Sequence, residues 1–131
     1  YEEIELDLDI HGYIPRDYIE EAEKIVIYRR LIAIETIEEL QLMKDEIKDR
    51  FGKLPKPVED LFEYLTIKIL AQKNNVKSIK AEEKTFKIKF VEGKIKIEKI
   101  QELIISKKIK YLQREGAIEV SDIKSFFIDY K

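Results

Sequence analysis

The stretch Asp49-Arg50-Phe51-Gly52-Lys53-Leu54-Pro55-Lys56-Pro57 constrains the fold more than any other part of this chain. Glycine tolerates the left-handed backbone that ends a helix, and proline fits a first helical turn, where its missing N–H costs nothing. Gly52 therefore stops one helix, Pro55 falls in an extended turn, and Pro57 lies in the first turn of the next. The result is a rigid corner that sets the angle between two long helices. Arg50 and Phe51 are expected to hold that corner, and nothing in it looks catalytic.

The pattern on either side fills in the elements. Ile4, Leu6, Leu8 and Ile10 alternate with Glu5, Asp7 and Asp9, which predicts a half-buried strand with an acidic outer face. A turn at His11-Gly12-Tyr13-Ile14-Pro15 follows, with Asp17 as candidate cap of a first helix. In that helix Ile19, Ala22, Ile25, Val26, Arg29, Ile32 and Ala33 keep the helical period, with Tyr28 and Leu31 broadening the stripe. Thr36 and Glu39 make a capping box for a second helix with Ile37, Leu40, Met43, Ile47 and Phe51 as its apolar face. Past the corner, Val58, Leu61, Phe62, Leu65 and Ile69 carry a third helix to Asn74-Asn75.

From Val76 the period shortens. Val76–Ala81 and Phe86–Phe90 read as a hairpin, and Ile97, Ile100, Leu103 and Ile104 as a short helix. A strand beginning at Ile109 turns at Glu115-Gly116 into Ala117–Val120, and Ser121 or Asp122 caps a final helix with Ile123, Phe126, Phe127 and Tyr130. Helices come first and strands later, which favours an α+β fold over a repeating βαβ plan. The expectation is one domain, residues 1–131, with an N-terminal half of about three helices packed on a small, mainly antiparallel sheet with additional short helices.

Composition narrows the function classes. The chain has 131 residues and no cysteine, so disulfides and thiolate metal sites are excluded, and a reducing, cytoplasmic setting is the expectation. No window approaches the roughly 20 apolar residues of a membrane span. The start is acidic rather than basic-then-apolar, unlike a secretory signal. The first residue is tyrosine and the one methionine, Met43, is internal, so a piece of a longer protein is expected. Charge is unevenly spread. Tyr1 to Ile67 holds 9 basic and 18 acidic residues, Lys68 to Arg114 holds 14 and 5, and Glu115 to Lys131 holds 2 and 4. Such polarity steers association with charged partners and says nothing about fold.

An active site finds no candidate. His11 is the only histidine, so a histidine-based metal cluster is excluded. Ser78, Ser106, Ser121 and Ser125 lie outside any Gly-x-Ser-x-Gly elbow. Glycines at 12, 52, 93 and 116 build no phosphate loop. Paired carboxylates such as Glu38-Glu39 ride solvent-facing helix positions. No catalytic residue, cofactor or metal ligand is assigned.

The lysines of the β half deserve a separate reading. Lys80, Lys87, Lys89 and Lys96, among others, suit a phosphate backbone, where each contact releases counterions. Arginines that would read bases are scarce. Phe86, Ile88 and Phe90 share a strand face opposite Lys87 and Lys89, which suits core rather than a base-stacking platform. Lysine on an outer strand face also blocks aggregation.

Three segments, in order and spacing, carry a family resemblance: Tyr13-Ile14-Pro15-x-x-Tyr18-Ile19, Tyr28-Arg29-Arg30-Leu31-Ile32-Ala33, and Glu46-x-x-Asp49-Arg50-Phe51-Gly52-x-Leu54-Pro55-x-Pro57. Together they resemble the C-terminal domain of the bacterial transcription-repair coupling factors (Mfd), specifically from about Leu8 to Lys73. His11-Gly12 stands where that family more often has a small residue such as alanine before the tyrosine, and Lys24 where arginine is usual. These factors are ATP-driven DNA translocases that remove stalled RNA polymerase and recruit excision repair. The resemblance implies a domain without catalysis of its own. It implies packing on an N-terminal module similar to UvrB, covering the surface that binds the damage sensor UvrA, with RNA polymerase an indirect partner. Glu46 and Asp49, three apart on one helix face beside the row of Ile47 and Phe51, are then the natural interface acids. An arginine fork on the partner module suits both. The bland alternative pairs Glu46 with Arg50 and Asp49 with Lys53 on a solvated face. The functional alternative is an accessory nucleic-acid-binding domain using the lysine-rich β half.

Overall fold

Alternating apolar residues in the first segment do form a strand, but a short one. In the computed structural model, which describes residues 3–131, β1 spans Glu5–Asp7 and pairs parallel with β2, Val76–Ala81. Leu8, just past its end, is buried, while Ile10 is exposed. The remaining elements are α1 (Glu21–Ile32), α2 (Ile37–Phe51), α3 (Lys56–Lys73), β3 (Phe86–Phe90), α4 (Ile97–Ile105), β4 (Ile109–Leu112), β5 (Ala117–Val120) and α5 (Ile123–Tyr130). The fold is α+β.

Two compact units emerge: a helical unit, Ile10–Ile69, and a sheet unit of Leu70–Lys131 with the N-terminal segment through Asp9. In the sheet unit the strand order is β1-β2-β3-β5-β4. The pairings β2/β3, β3/β5 and β5/β4 are antiparallel, and β1/β2 is parallel. One transverse row, Leu6, Ile79, Ile88, Ile118 and Tyr111, runs across all five strands. Its centre, Ile79, Ile88 and Ile118, is nearly solvent-free. α5 is capped by Asp122, whose Oδ1 accepts from the Ser125 N–H at 3.1 Å. It buries Phe126, Phe127 and Tyr130, with Phe90 and Phe126 ring centroids each 5.2 Å from that of Tyr130. The Tyr130 hydroxyl accepts from the Lys96 backbone N–H at 2.8 Å, at the start of α4. A buried phenol thus gains its required polar partner.

The helical unit is built around Ile14, Ile19, Ile27, Leu31, Leu40, Met43, Ile47, Leu54, Val58, Leu61, Phe62 and Ile69. Thr36 caps α2, its Oγ1 accepting the Glu39 N–H at 3.1 Å. Gly52 closes that helix at φ 93°, ψ −169°. This is the glycine-only extended region rather than the left-handed helical conformation expected from its position. The Tyr18 hydroxyl donates to the Gly52 carbonyl at 2.7 Å. Pro55 starts α3, its carbonyl accepting from Val58 and Glu59, and Pro57 sits in the first turn.

Two expectations fail in α1. Asp17 does not cap it: the Pro15 carbonyl accepts from the Tyr18 and Ile19 N–H groups in a separate turn. The chain then extends at Glu20, and the helix begins at Glu21 with no side-chain cap. The inward face also differs. Ile25, Val26 and Ile32 are 55%, 52% and 71% exposed, whereas Ile27 and Leu31 are buried. The helix has apolar residues on both sides, so its period left the choice open. The buried side is the one from which Tyr28 is half-buried and its hydroxyl accepts the Ile14 N–H at 2.9 Å.

The loop before α1 crosses the start of α3 at very close range. Gly12 has φ +75°, and a Cβ placed there would lie 2.1 Å from the Leu61 nitrogen and 2.4 Å from its Cα. Next to it, the Tyr13 N–H donates to the Pro57 carbonyl at 3.0 Å.

Candidate interaction site

Glu46 lies on α2, a half-buried position one residue from the core residue Ile47. Its carboxylate does not pair with Arg50, as local helical spacing would allow. Instead Arg30, reaching over from α1, grips it in an end-on fork: Nη2 donates to Oε1 at 2.8 Å, and Nη1 donates to Oε2. Planar forks of this kind match a carboxylate in both position and direction. The Arg30 hydrogen bond holds the Glu46 carboxyl below its ordinary pKa. The same bond holds the Arg30 guanidinium above its own.

Asp49, one turn further along α2, is exposed and makes no ion pair or side-chain hydrogen bond among the described residues. Leu42, Glu46 and Asp49 follow at i, i+4 and i+7, so they share one face, and Leu42 is 70% exposed. The apolar residue on the acids' own face is therefore Leu42. Ile47 is in the core and Phe51 half-buried. Sequence reasoning missed this, and it missed Arg30 as the partner of Glu46, because the two are 16 positions apart.

At the corner, Arg50 lies over the Phe51 ring, 4.8 Å from its centroid, and reaches Glu23 Oε2 at 3.5 Å. Phe51 in turn lies 6.0 Å from the Tyr18 ring. Both pairs join α2 to the α1 segment, flanking the Arg30–Glu46 fork.

On the sheet unit the four lysines singled out from the sequence divide. Lys80 and Lys89 are exposed and make no ion pair among the described residues. Lys87 lies 3.0 Å from Glu115 Oε1 and 3.4 Å from Glu82 Oε1. The Glu115 hydrogen bond raises its pKa, against the opposing effect of burial. Lys96 sits over the Tyr130 ring at 5.1 Å. In register across the sheet run Asp7, Lys80, Lys87, Glu119 and Lys110. That row mixes signs, with Lys80 and Lys87 side by side between Asp7 and Glu119, rather than forming a continuous basic track. A cavity of about 270 Å³ lies beside Leu103, Lys108, Phe126 and Asp129. Its charged groups pair with each other, Lys108 Nζ to Asp129 Oδ2 at 3.1 Å. Among the described residues no cluster of three metal-ligating side chains occurs. No helix among the described residues is long and apolar enough to cross a membrane.

The best-formed charged feature of this α+β chain is thus a helix-to-helix fork beside an exposed carboxylate. The chain belongs to the TRCF domain family, whose model matches residues 8–100. Among curated proteins it is similar to the transcription-repair-coupling factor of Bacillus subtilis, 42% identical over 79 residues, 60% of this chain. It is also similar to that of Borreliella burgdorferi, 28% identical over 134 residues, 99% of this chain. It spans only 7% and 11% of the length of those two relatives. Among solved structures it matches the crystal structure of a C-terminal domain of transcription-repair coupling factor. That match has a TM-score of 0.74 at 25% identity, over 97% of this chain and 85% of the other.

Proposed function

We propose that this domain is a non-catalytic regulatory clamp of a transcription-repair coupling factor, acting in the cytoplasm in transcription-coupled DNA repair. In this reading residues 1–131 work as one C-terminal regulatory domain. It docks on the UvrB-like N-terminal module of the same polypeptide and masks the UvrA-binding surface until RNA polymerase is engaged. ATP hydrolysis and translocation belong to other parts of the parent protein. The observation that supports it is the acid pair on α2: an open Asp49 one turn from Glu46, within the region matched by the family model. A partner arginine meets Asp49 first, then joins or replaces Arg30 at Glu46. Arg50, Phe51, Gly52, Pro55 and Pro57 hold the corner on which these acids are displayed.

The test is an NMR titration of this chain with the separately produced UvrB-like module, taken to about millimolar, the range that tethering implies. Shifts on α2 that vanish in Glu46→Arg/Asp49→Arg support the clamp. An unchanged titration in the reversed variant refutes it. The nucleic-acid alternative has the weaker support, since Lys87 is already neutralised by two carboxylates. Salt-steep DNA binding lost on replacing Lys80 and Lys89 would reinstate it.

A further inference from the structure

Glu46 already holds a guanidinium, and that guanidinium belongs to the domain itself. Arg30 donates to both carboxylate oxygens, from Nη1 and Nη2. Neither side chain has another hydrogen-bond or ion-pair partner among the described residues. The pair lies at the surface, with 46% of the Arg30 side chain and 40% of the Glu46 side chain exposed. Opening it therefore strands no buried charge, unlike the breaking of an interior ion pair. The charges beside it differ in state. Arg50 is taken by Glu23 and the Phe51 ring, while Asp49 has no cation, although Lys53 follows at helical spacing. Of the two α2 acids, one is neutralised from a neighbouring helix and the other is left bare.

We infer that Arg30 is an internal competitor for Glu46, set against the partner's cation, and that it tunes how tightly the domain docks. The inference rests on the clamp reading and adds its regulation. The end-on fork engages both oxygens of the carboxylate, the same geometry that an incoming arginine fork would use. The partner must displace Arg30 or settle for a poorer approach to Glu46. The fork also cancels the charge of Glu46, so the acid pair draws an approaching cation chiefly through Asp49. A contact that only set the rotamer of Glu46 would leave an oxygen open, whereas this one closes on both. Undocking is eased in the same way, because a released Glu46 returns to Arg30 instead of standing bare. The cost of docking is then that of one exposed ion pair, since that is what must be opened.

Four chains are titrated with the UvrB-like module and followed by NMR: the unaltered sequence, Arg30→Gln, Glu46→Gln, and Arg30→Gln/Glu46→Gln. Glutamine is a good helix former and both positions lie at the surface, so all four should melt at nearly the same temperature. Arg30→Gln should bind about two- to fivefold more tightly than the parent, the worth of one exposed ion pair. In the Glu46→Gln background the same substitution should change affinity much less, since the competition runs through that carboxylate. A tightening that persists in full there reports only the loss of a positive charge and overturns the inference. Arg30→Gln binding like the parent, or more weakly, also overturns it and leaves the clamp standing. If neither the unaltered chain nor Arg30→Gln binds, the clamp reading falls and the competitor with it.

Discussion

Gly12→Ala should be among the most damaging single-methyl additions available to this chain. The added Cβ would fall 2.1 Å from the Leu61 nitrogen, 2.4 Å from its Cα and 2.7 Å from the Asp60 carbonyl carbon. All three are backbone atoms in α3, so no side chain can swing aside. The loop must retract instead, which pulls on the 3.0 Å bond from Tyr13 N–H to the Pro57 carbonyl. Three effects add. The positive φ costs an alanine about 1–2 kcal/mol. Overpacking against an unyielding neighbour costs about 1–3 kcal/mol. A weakened backbone hydrogen bond costs about 0.5–1.5 kcal/mol. The sum is about 2.5–6.5 kcal/mol, a large share of the roughly 5–15 kcal/mol that holds a domain together. Gly116→Ala is the internal reference, because Gly116 has φ +62° with nothing near its missing Cβ. It should cost only the conformational part, about 1–2 kcal/mol. Urea unfolding followed by circular dichroism measures both. If Gly12→Ala costs no more than Gly116→Ala, the close crossing of loop and helix is not what demands glycine at position 12.

Further tests address other links in the argument. Ile47→Ala should destabilise by about 2–5 kcal/mol because the side chain is 1% exposed; Ile25→Ala, at 55% exposure, should stay within about 0.5 kcal/mol. Reversed magnitudes in denaturant would mean that α1 packs through its other face. In Arg30→Met the Glu46 carboxyl should titrate higher than in the parent, by carbon-13 NMR. The parent's lowered value means that the pair's stabilisation is present above the ordinary glutamate range and fades as pH falls through the depressed midpoint. An identical midpoint in both chains would deny the fork. Burial raises the Tyr130 pKa, against the Lys96 N–H bond that lowers it. Stability linked to Tyr130 is therefore complete below the ordinary tyrosine value and declines as pH rises toward the folded one. Burial raises Tyr18 as well, so absorbance titration should show two late phenols, of which one disappears in Tyr130→Phe. The same substitution should cost about 0.5–1.5 kcal/mol through loss of the bond to Lys96.

Much of this architecture is legible in the sequence, and the misses have physical reasons. Thr36 and Asp122 were readable as caps because cap chemistry is local, involving side chains and N–H groups three residues apart. The β2/β3 and β4/β5 hairpins follow from alternation and their turns. Neither the parallel pairing of β1 with β2 nor the β3/β5 neighbourhood has a local signature, since each joins segments far apart in the chain. In α1 the helical period was visible, but two apolar stripes satisfied it equally. Only the packing of Ile27 and Leu31 with α2 and α3 residues decides between them. The acids at Glu46 and Asp49 were readable as neighbours. That Glu46 is gripped by Arg30 was not, because local spacing offered Arg50 as an equally good partner.

The parallel pairing of β1 with β2 has a consequence for how the chain is made. Glu5 aligns with Ser78, 73 positions later, so the first strand leaves the ribosome long before its neighbour exists. At about 5–20 residues per second, that interval lasts several seconds. The helical unit, Ile10–Ile69, lies wholly within the gap and has its own core. Folding there first would turn a long floppy loop into a compact one before β1 must find β2, cutting the chain entropy still to be lost. Until then β1 is a nascent edge, and its Glu5 and Asp7 keep that waiting strand from pairing with the wrong neighbour.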